Sequence, residues 1–250
     1  MAHHPQHWIN RVLPPSWVGY LEFKSQLRHK FYPWGGPMNG QTARLEVCRQ
    51  ILKSFDISSI VETGTYRGTT TEWFAQFGIP TISIELNPRY ASFSKGRLCK
   101  YSHVAVVLGS SSNCLKSCIE QKNRSSGVGF YYLDAHWEKH LPVADELRSI
   151  QEGDPRSIIL IDDFQVIGDH SYEYDDYGSG NALTVDYLAR KGLANCDMFF
   201  PRIPAIEETG RRRGYVVMTT DTELATALEK LDLLRRYYPQ AAQIPVQNNC

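Results

Sequence analysis

The feature that most constrains the fold is a regular alternation, over residues 57–162, of short apolar runs with segments of helical periodicity. The apolar runs are short and nearly continuous, which is typical of strands buried on both faces. Strands alternating with helices predict a parallel sheet that is covered by helices on both sides and connected by right-handed crossovers. The predicted strands are Ile57–Glu62, Thr81–Glu85, His103–Leu108, Val128–Asp134 and Ser157–Asp162. The predicted helices are Thr69–Phe77, Tyr90–Cys99, Asn113–Gln121 and a segment that begins at Leu141.

The sequence on either side of this alternation differs in character. Residues 1–40 are rich in proline and aromatic residues and predict an N-terminal cap segment, whereas residues 41–250 predict the main domain. Two strand-like runs, 198–206 and 214–220, flank a turn whose three consecutive arginines, 211–213, we expect to be solvated. Helices are expected near 181–191 and over 222–238. The predicted fold class is therefore α/β: a Rossmann-like, doubly wound, mostly parallel sheet with a C-terminal antiparallel hairpin.

The overall composition excludes some classes of partner. Lys and Arg number 27, as do Asp and Glu, so the formal net charge is zero and neither nucleic acid nor an anionic membrane is an expected partner. No apolar run reaches the ~20 residues of a membrane helix, and the N-terminus lacks the apolar stretch of a secretory signal. The six cysteines show no metal-ligand spacing and predict reduced thiols. We expect a soluble, cytoplasmic protein, with a homo-oligomer allowed.

A glycine-containing loop follows the first predicted strand. It carries Gly64 and Gly68 in an E-x-G-x-x-x-G pattern that begins at Glu62. Glycines permit a sharp turn and close approach of a ligand, and the following helix offers free N–H groups. A dinucleotide site needs G-x-G-x-x-G, whereas an acid just upstream suits a cationic ligand without phosphate. Glu85 ends the next strand, where such folds hold ribose hydroxyls. The pattern predicts nucleoside binding, with an ordinary strand-to-helix turn as the alternative.

The loop together with the strand-end acid resembles the class I methyltransferases that use S-adenosylmethionine (SAM). That resemblance implies that the loop residues line SAM, that Glu62 lies near its amino group and that Glu85 binds the ribose. It further places the start of the helix after the third strand against adenine, although serines there also cap helices well. The SAM-binding residues expected on this basis are Glu62, Gly64, Tyr66, Gly68, Thr69, Glu85, Ser110, Ser111 and Asp134.

Three aspartates end the fourth and fifth predicted strands: Asp134, Asp162 and Asp163. The carboxyl ends of neighbouring parallel strands border one crevice, so we expect these side chains to lie close together. Clustered carboxylates repel unless something positive neutralises them, and Mg²⁺ prefers oxygen ligands of this kind. In the alternative interpretation, one or two of them cap the following segments or contact SAM.

The spacing of these aspartates, with Leu141-Pro142 between them, resembles the metal-dependent O-methyltransferases of the catechol type and the macrocin-type sugar O-methyltransferases. The resemblance implies that all three aspartates hold Mg²⁺ or a similar divalent cation. It also implies that the methyl acceptor is a hydroxyl oxygen of a small molecule.

The expected general base departs from the catechol-type pattern. Those enzymes place a lysine three residues after the first aspartate, where this sequence has Trp137. A histidine has a suitable pKa near neutrality, which makes His136 the first candidate, with Lys139 and His140 next. Aromatic residues of the loop 172–180 and of the N-terminal segment (Phe31, Tyr32 and Trp34) are expected either to cover the cleft or to pack locally.

Three other functions are weighed against methyl transfer. An NAD(P)-dependent oxidoreductase is disfavoured because the G-x-G-x-x-G loop is absent. A resemblance to cephalosporin hydroxylase-like proteins, which share this fold and metal-site region, leaves a different oxygen chemistry open. A non-catalytic SAM-binding or scaffold protein would be favoured if the three aspartates were exposed and scattered.

Overall fold

An eight-stranded sheet forms the centre of the protein. The computed structural model describes residues 13–26, 33–122, 126–136 and 141–239. The strands are β1 (Ile57–Thr63), β2 (Thr81–Glu85), β3 (Val104–Leu108), β4 (Val128–Leu133), β5 (Ser157–Asp162), β6 (Asp197–Pro201), β7 (Tyr215–Thr219) and β8 (Leu234–Arg236). They lie in the order β3-β2-β1-β4-β5-β7-β6-β8. The first five in this order are parallel, β7 is antiparallel to β5 and β6, and β8 is antiparallel to β6.

Helices cover both faces of this sheet. Successive strand residues point to opposite faces, so Ile60 packs in one hydrophobic cluster and Val61 in the other. The helices are α1 (Pro15–Gln26), α2 (Thr42–Ser54), α3 (Thr69–Ala75), α4 (Pro88–Leu98), α5 (Ser111–Lys122), α6 (Val143–Gly153), α7 (Val185–Arg190) and α8 (Thr222–Leu228). The cluster around Val61 includes residues of α5, α6 and α7, and the cluster around Ile60 includes residues of α2, α3 and α8. The predicted Rossmann-like α/β class, mostly parallel with a C-terminal antiparallel hairpin, is confirmed.

The C-terminal helix is shorter than predicted. Asp221 begins α8, its carboxylate accepting from the N–H groups of Glu223 and Leu224, but the helix ends at Leu228. The chain then turns and forms β8 against β6, where Leu234 is fully buried. The prediction of helix through residue 238 was therefore wrong, because pairing at the sheet edge overrides local helical propensity.

The N-terminal helix α1 packs directly on α4. A side chain at Gly19 would overlap the backbone carbonyl of Arg89, so the two helices approach as closely as glycine permits. The rings of Phe23 and Phe93 meet edge to face, 5.7 Å apart, and Glu22 pairs with Arg89. The predicted boundary near residue 40 stays a prediction.

Membrane-spanning helices and the state of the cysteines can be described for the residues that the structure covers. Within it, no helix combines the length and the apolar character needed to span a membrane. The five cysteines that it contains carry free thiols, as predicted.

Candidate active site

A cleft of about 920 Å³ opens at the carboxyl ends of the parallel strands. The strand order reverses between β1 and β4, since the chain runs from β1 outward to β3 and then crosses back to β4. Open α/β sheets bind ligands at this switch point, and the volume lies within the range of small-molecule sites. Most of the predicted site residues line the cleft: Gly64, Tyr66, Thr69, Glu85, Ser110, Ser111, Asp134, His136, Asp162 and Asp163.

Residues with a strained backbone concentrate in this cleft. Six non-glycine residues of the described chain have a positive φ, and five of them line the cleft: Trp34, Met38, Asn39, Tyr66 and Asp163. Such conformations cost free energy and persist only where the surrounding structure enforces them, typically at ligand-binding and catalytic sites. Their distribution makes the cleft the candidate functional site, independently of any sequence motif.

The glycine loop joins β1 to α3 and touches the loop after β4. Gly64 has a φ of 85°, and a Cβ there would overlap the backbone carbonyl of Asp134. A side chain at Gly64 would therefore enter the neighbouring loop. Gly68, with a φ of 72°, is the N-cap residue of α3 and packs against Ser94 and Leu98 rather than lining the cleft.

Glu85 at the end of β2 is held in a fixed orientation. One carboxylate oxygen accepts from the backbone N–H of Tyr66 at 2.7 Å and the other from that of Asn87 at 2.8 Å. Burial raises the pKa of Glu85, and the backbone hydrogen bonds oppose that rise. Each oxygen retains a further lone pair, so the carboxylate can still accept hydrogen bonds from a ligand in the cleft.

Glu62 lies below the glycine loop and is not among the residues that line the cleft. Its carboxylate accepts from the hydroxyls of Thr71 and Ser83. Burial raises the pKa of Glu62 to about 7, although these two hydrogen bonds oppose the rise. This geometry gives Glu62 a role in supporting the loop, and its contact with a ligand stays a prediction.

Ser110 and Ser111 stand where α5 begins, at the end of β3. The carbonyl of Ser110 accepts from the N–H groups of Asn113 and Cys114, at 3.1 and 3.0 Å. Both serines therefore face the cleft from the first turn of a helix, on the same side as Glu85.

A group of three potential metal ligands lies at the ends of β4 and β5. Ligand atoms of Asp134, His136 and Asp163 all lie within 4.8 Å of one another. His136 is 2% exposed, and neither ring nitrogen has a hydrogen-bond partner among the described residues. Its Nε2 is 3.8 Å from a carboxylate oxygen of Asp163, which is too far for a hydrogen bond. Buried polar atoms without partners require an explanation, and an ion or a water bound beside His136 would supply one.

Asp162, which was predicted as the third ligand, faces a different partner. Its carboxylate forms a fully buried ion pair with Arg44 of α2 and accepts from the hydroxyl of Tyr132 at 2.7 Å. Burial opposes the charged form of Arg44, but Asp162 and its neighbours raise the pKa of the guanidinium overall. Asp162 lines the cleft but does not belong to the group of three, so its role as a ligand stays a prediction.

Arg213 occupies the space beside Asp163. Its Nε is 2.6 Å from an oxygen of Asp163, and its guanidinium also pairs with Asp175 and approaches Glu173 at 3.7 Å. The expectation of three solvated arginines is therefore corrected for Arg213, which is partly buried, whereas Arg211 and Arg212 are exposed as expected, and Arg211 also lines the cleft.

The charges of this region are unequally compensated. Burial raises the pKa of Asp134, and repulsion by Asp162 and Asp163 raises it further. Burial also acts on Asp163, but His136 and Arg213 outweigh it and hold the pKa of that carboxyl well below its usual value. For His136, burial favours the neutral ring, yet the neighbouring carboxylates of Asp163 and Asp162 raise its pKa. Among the described residues, Asp134 is thus the acid of the cluster without an ion-pair partner.

Sequence reasoning missed Arg44, Arg213 and Asp175. Arg44 precedes Val47, Cys48 and Ile51 at the spacing of the buried face of α2, and a charge at that position was a usable signal. Asp175 lies in the long loop after β5, where no local pattern indicates that it meets Arg213.

The aromatic residues divide between the two expected roles. Trp34 lines the cleft, whereas Tyr172 is a core residue whose hydroxyl donates to the carbonyl of Ile203 at 2.9 Å. No tyrosine of the loop 172–180 is among the residues that line the cleft. The other expected residues, Phe31, Tyr32, Lys139 and His140, lie outside the described residues.

A comparison with protein-family models finds no match, and neither does a comparison with curated proteins. Among solved structures, the O-methyltransferase from Bacillus cereus in complex with SAH is 14% identical, with a TM-score of 0.48, covering 86% of this chain and 96% of that one. The glycopeptide N-methyltransferase MtfA complexed with SAM is 14% identical, with a TM-score of 0.45, covering 71% and 87%. The cofactor-bound Rv0187 from MTB is 16% identical, with a TM-score of 0.44, covering 88% and 99%. Likeness of this degree carries no argument about function, which has to come from the cleft itself.

Proposed function

We propose that this chain transfers a methyl group from SAM to a hydroxyl oxygen of a small molecule, with a divalent cation at Asp134, His136 and Asp163. One observation carries the proposal. A single cleft at the switch point of the sheet joins a nucleoside-type pocket to a buried carboxylate and imidazole group. Clustering and burial of these acids argue against a scaffold, for which scattered, exposed acids are expected.

The pocket at the ends of β1, β2 and β3 suits a cationic nucleoside. Its lining around the glycine loop and Glu85 is neutral or acidic, which disfavours a pyrophosphate and favours a sulfonium. Glu85 has an orientation fixed by two backbone N–H groups and can accept from the two hydroxyls of a ribose.

The residues of the acidic end fit a divalent cation. Two carboxylates and an imidazole with unpartnered nitrogens form a reasonable donor set, and Asp134 lacks a cationic partner among the described residues. A cation bound there would lower the pKa of the acceptor hydroxyl and orient it. Asp134 and Asp163 would hold the cation from two adjacent strand ends, while Arg213 fixes the carboxylate of Asp163.

The cation requirement decides the role of His136. An imidazole that binds a cation cannot also take the acceptor's proton, so the ligand and base roles exclude each other. With His136 as a ligand, Lys139 and His140 remain the predicted bases. With His136 as the base, a cation would be held by the aspartates alone.

A methyltransferase that needs no cation is the second candidate. It is favoured by the observation that Arg44 and Arg213 already compensate Asp162 and Asp163. The two candidates share the cleft and the methyl donor and differ in their response to a chelator.

Titration calorimetry with the product SAH, and in parallel with NAD, tests the proposed nucleoside pocket at the ends of β1, β2 and β3. We expect SAH to bind and NAD not to bind. Binding of NAD in place of SAH would contradict the proposal.

Titration with Mn²⁺ tests the proposed cation site at Asp134, His136 and Asp163. Asp134→Asn should abolish binding, whereas the control Asp145→Asn, which alters an exposed acid on α6, should leave it unchanged. Mn²⁺ affinity that survives Asp134→Asn would remove the cation from the proposal, and methyl transfer at full rate in EDTA would favour the second candidate.

A further inference from the structure

The wall of the cleft that faces the strand ends is built from two segments about 170 residues apart in the sequence. Residues 34–40 form a loop, and residues 208–213 form the turn before β7. They are joined by backbone and side-chain hydrogen bonds: Arg211 N–H to the Asn39 carbonyl (3.1 Å), Thr209 hydroxyl to the Gly40 carbonyl (2.8 Å), Gln41 amide to the Arg213 carbonyl (3.0 Å) and Arg213 N–H to the Gln41 side chain (3.1 Å).

Backbone strain and close packing distinguish this wall. Trp34, Met38 and Asn39 have φ values of 60°, 50° and 61°, which residues other than glycine rarely adopt. Gly210 packs so closely on Asn39 that a Cβ there would overlap the backbone of that residue. A strained loop held by a distant turn is a preorganised binding surface.

Arg211 is presented on this wall without an acidic partner. Its guanidinium lies 4.5 Å from the centroid of the Trp34 ring, and both side chains line the cleft. Within the described residues, no carboxylate is within 4.0 Å of it, in contrast to Arg213, which has three acidic neighbours. Stacking on an indole fixes the plane of a guanidinium and leaves its N–H groups free.

We propose that Trp34 and Arg211 form a subsite for an anionic group, a carboxylate or a phosphate, of the methyl acceptor. That the anionic group belongs to a methyl acceptor rests on the proposed function, whereas the anion site itself rests on the geometry of Trp34 and Arg211. A guanidinium binds either anion through paired N–H donors, and the indole adds a flat apolar surface for a planar acceptor.

The distribution of charge orients such an acceptor. Asp134, at the strand ends, has no ion-pair partner among the described residues, whereas Arg211 is a cation that also lines the cleft. The anionic end therefore binds at Arg211, and the hydroxyl end lies toward Asp134 and His136. The acceptor class that fits is a hydroxy acid or a hydroxylated phosphate ester.

The test measures binding of small anions to the full chain without SAM. The probes are benzoate and phenyl phosphate, with neutral benzamide as the uncharged counterpart of benzoate, followed by ligand-observed NMR or calorimetry. Arg211→Gln should weaken the better anion by about tenfold, the usual effect of losing one charge-assisted interaction. The matched control is Arg212→Gln, which removes the same charge from an exposed neighbour outside the cleft and should change affinity less than twofold.

A second variant keeps the test independent of folding. Arg211→Lys retains the charge but loses the planar fork, and should bind the anions less well than wild type while melting at the same temperature. Stronger binding of benzoate identifies a hydroxy acid as the acceptor class, and stronger binding of phenyl phosphate identifies a phosphate ester.

Three results would overturn the subsite: no anion binding to wild type, equal losses in Arg211→Gln and Arg212→Gln, or benzamide binding as well as benzoate. SAH binding is measured on the same samples. Absence of SAH binding with intact, Arg211-dependent anion binding would refute the methyltransferase proposal and leave the anion site in place.

Discussion

The two halves of the cleft are built in different ways. The half at β1, β2 and β3 is made from short consecutive segments, and it positions Glu85 through backbone N–H groups. The half at β4 and β5 is assembled from residues far apart in the chain, and it is held by buried ion pairs that involve Arg44 and Arg213. The first half depends on backbone geometry, and the second depends on charge balance.

This difference predicts different weaknesses. Removing a charge from the second half leaves another buried charge without its partner, which is costly in a medium of low dielectric constant. Removing a charge from the first half alters ligand affinity or pH dependence and leaves most of the fold intact. Each substitution below tests one side of this comparison.

Arg44→Met should have the largest effect. It leaves the carboxylate of Asp162 buried without its cation, and we expect a loss of about 3–5 kcal/mol in the free energy of unfolding. Urea denaturation at pH 7 measures the loss. The control is Arg49→Met, which breaks the half-exposed pair with Glu46 and should cost less than about 1 kcal/mol.

The double variant Arg44→Met with Asp162→Asn sharpens this result. Because it removes both charges, it should recover part of the stability lost in the single variant. Equal stabilities of the single and double variants would show that the charge balance described for the acidic half is wrong.

Gly64→Ala should have the next largest effect, since Gly64 lies where the two halves touch. The new methyl group would overlap the Asp134 carbonyl at a φ of 85°, and we expect a loss of about 2–4 kcal/mol. Gly78→Ala is a matched control, because Gly78 has a similar φ of 71° and nothing lies within 4 Å of its added Cβ. It should cost about 1 kcal/mol from backbone strain alone. Equal losses in the two variants would mean that the contact between the loops is not tight.

The sequence predicts the first half better than the second for a physical reason. Gly64, Gly68 and Glu85 lie on a strand-loop-helix unit and the strand after it, so local spacing fixes their approximate positions. The parallel arrangement of the first five strands follows from the same local alternation. The prediction of a helix over residues 222–238 was wrong around Leu234, because the chain there pairs as a strand with β6, which lies more than 30 residues earlier.

The acidic half could be predicted only in part. The topology alone brings Asp134 and Asp163 together, because they follow adjacent parallel strands. Arg44 pairs with Asp162 and Arg213 pairs with Asp163, across sequence separations of 118 and 50 residues. No local pattern in the sequence indicates these contacts. Aspartate clustering was therefore predictable, whereas the separation of Asp162 from Asp134 and His136 was not.

Glu85→Ala tests the ligand-binding half without disturbing the acidic half. It removes the acceptor proposed for two ribose hydroxyls, and SAH affinity should fall by about 1.5–3 kcal/mol. Mn²⁺ affinity should stay the same, because Asp134, His136 and Asp163 are unchanged. Calorimetry with both ligands separates the outcomes, and a parallel loss of Mn²⁺ binding would mean that the two halves are not independent.

Glu62→Gln should have the smallest effect, and it is visible as a pH dependence. The pKa of Glu62 is raised by burial from an ordinary value of 4.5 to about 7, so the folded protein binds the proton more tightly than the unfolded chain does. Stability therefore falls as pH rises from about 4.5 to about 7 and is level above that range. Glutamine still accepts hydrogen bonds from Thr71 and Ser83 but has no proton to lose. The variant should gain about 1–2 kcal/mol on the wild type between pH 5 and pH 8, less than the full shift implies because the interior relaxes around a buried charge. Urea denaturation at both pH values measures this difference. A difference between wild type and variant that is the same at pH 5 and pH 8 would show that Glu62 is ionised in the fold, and that the ligand-binding half carries a buried charge as the acidic half does.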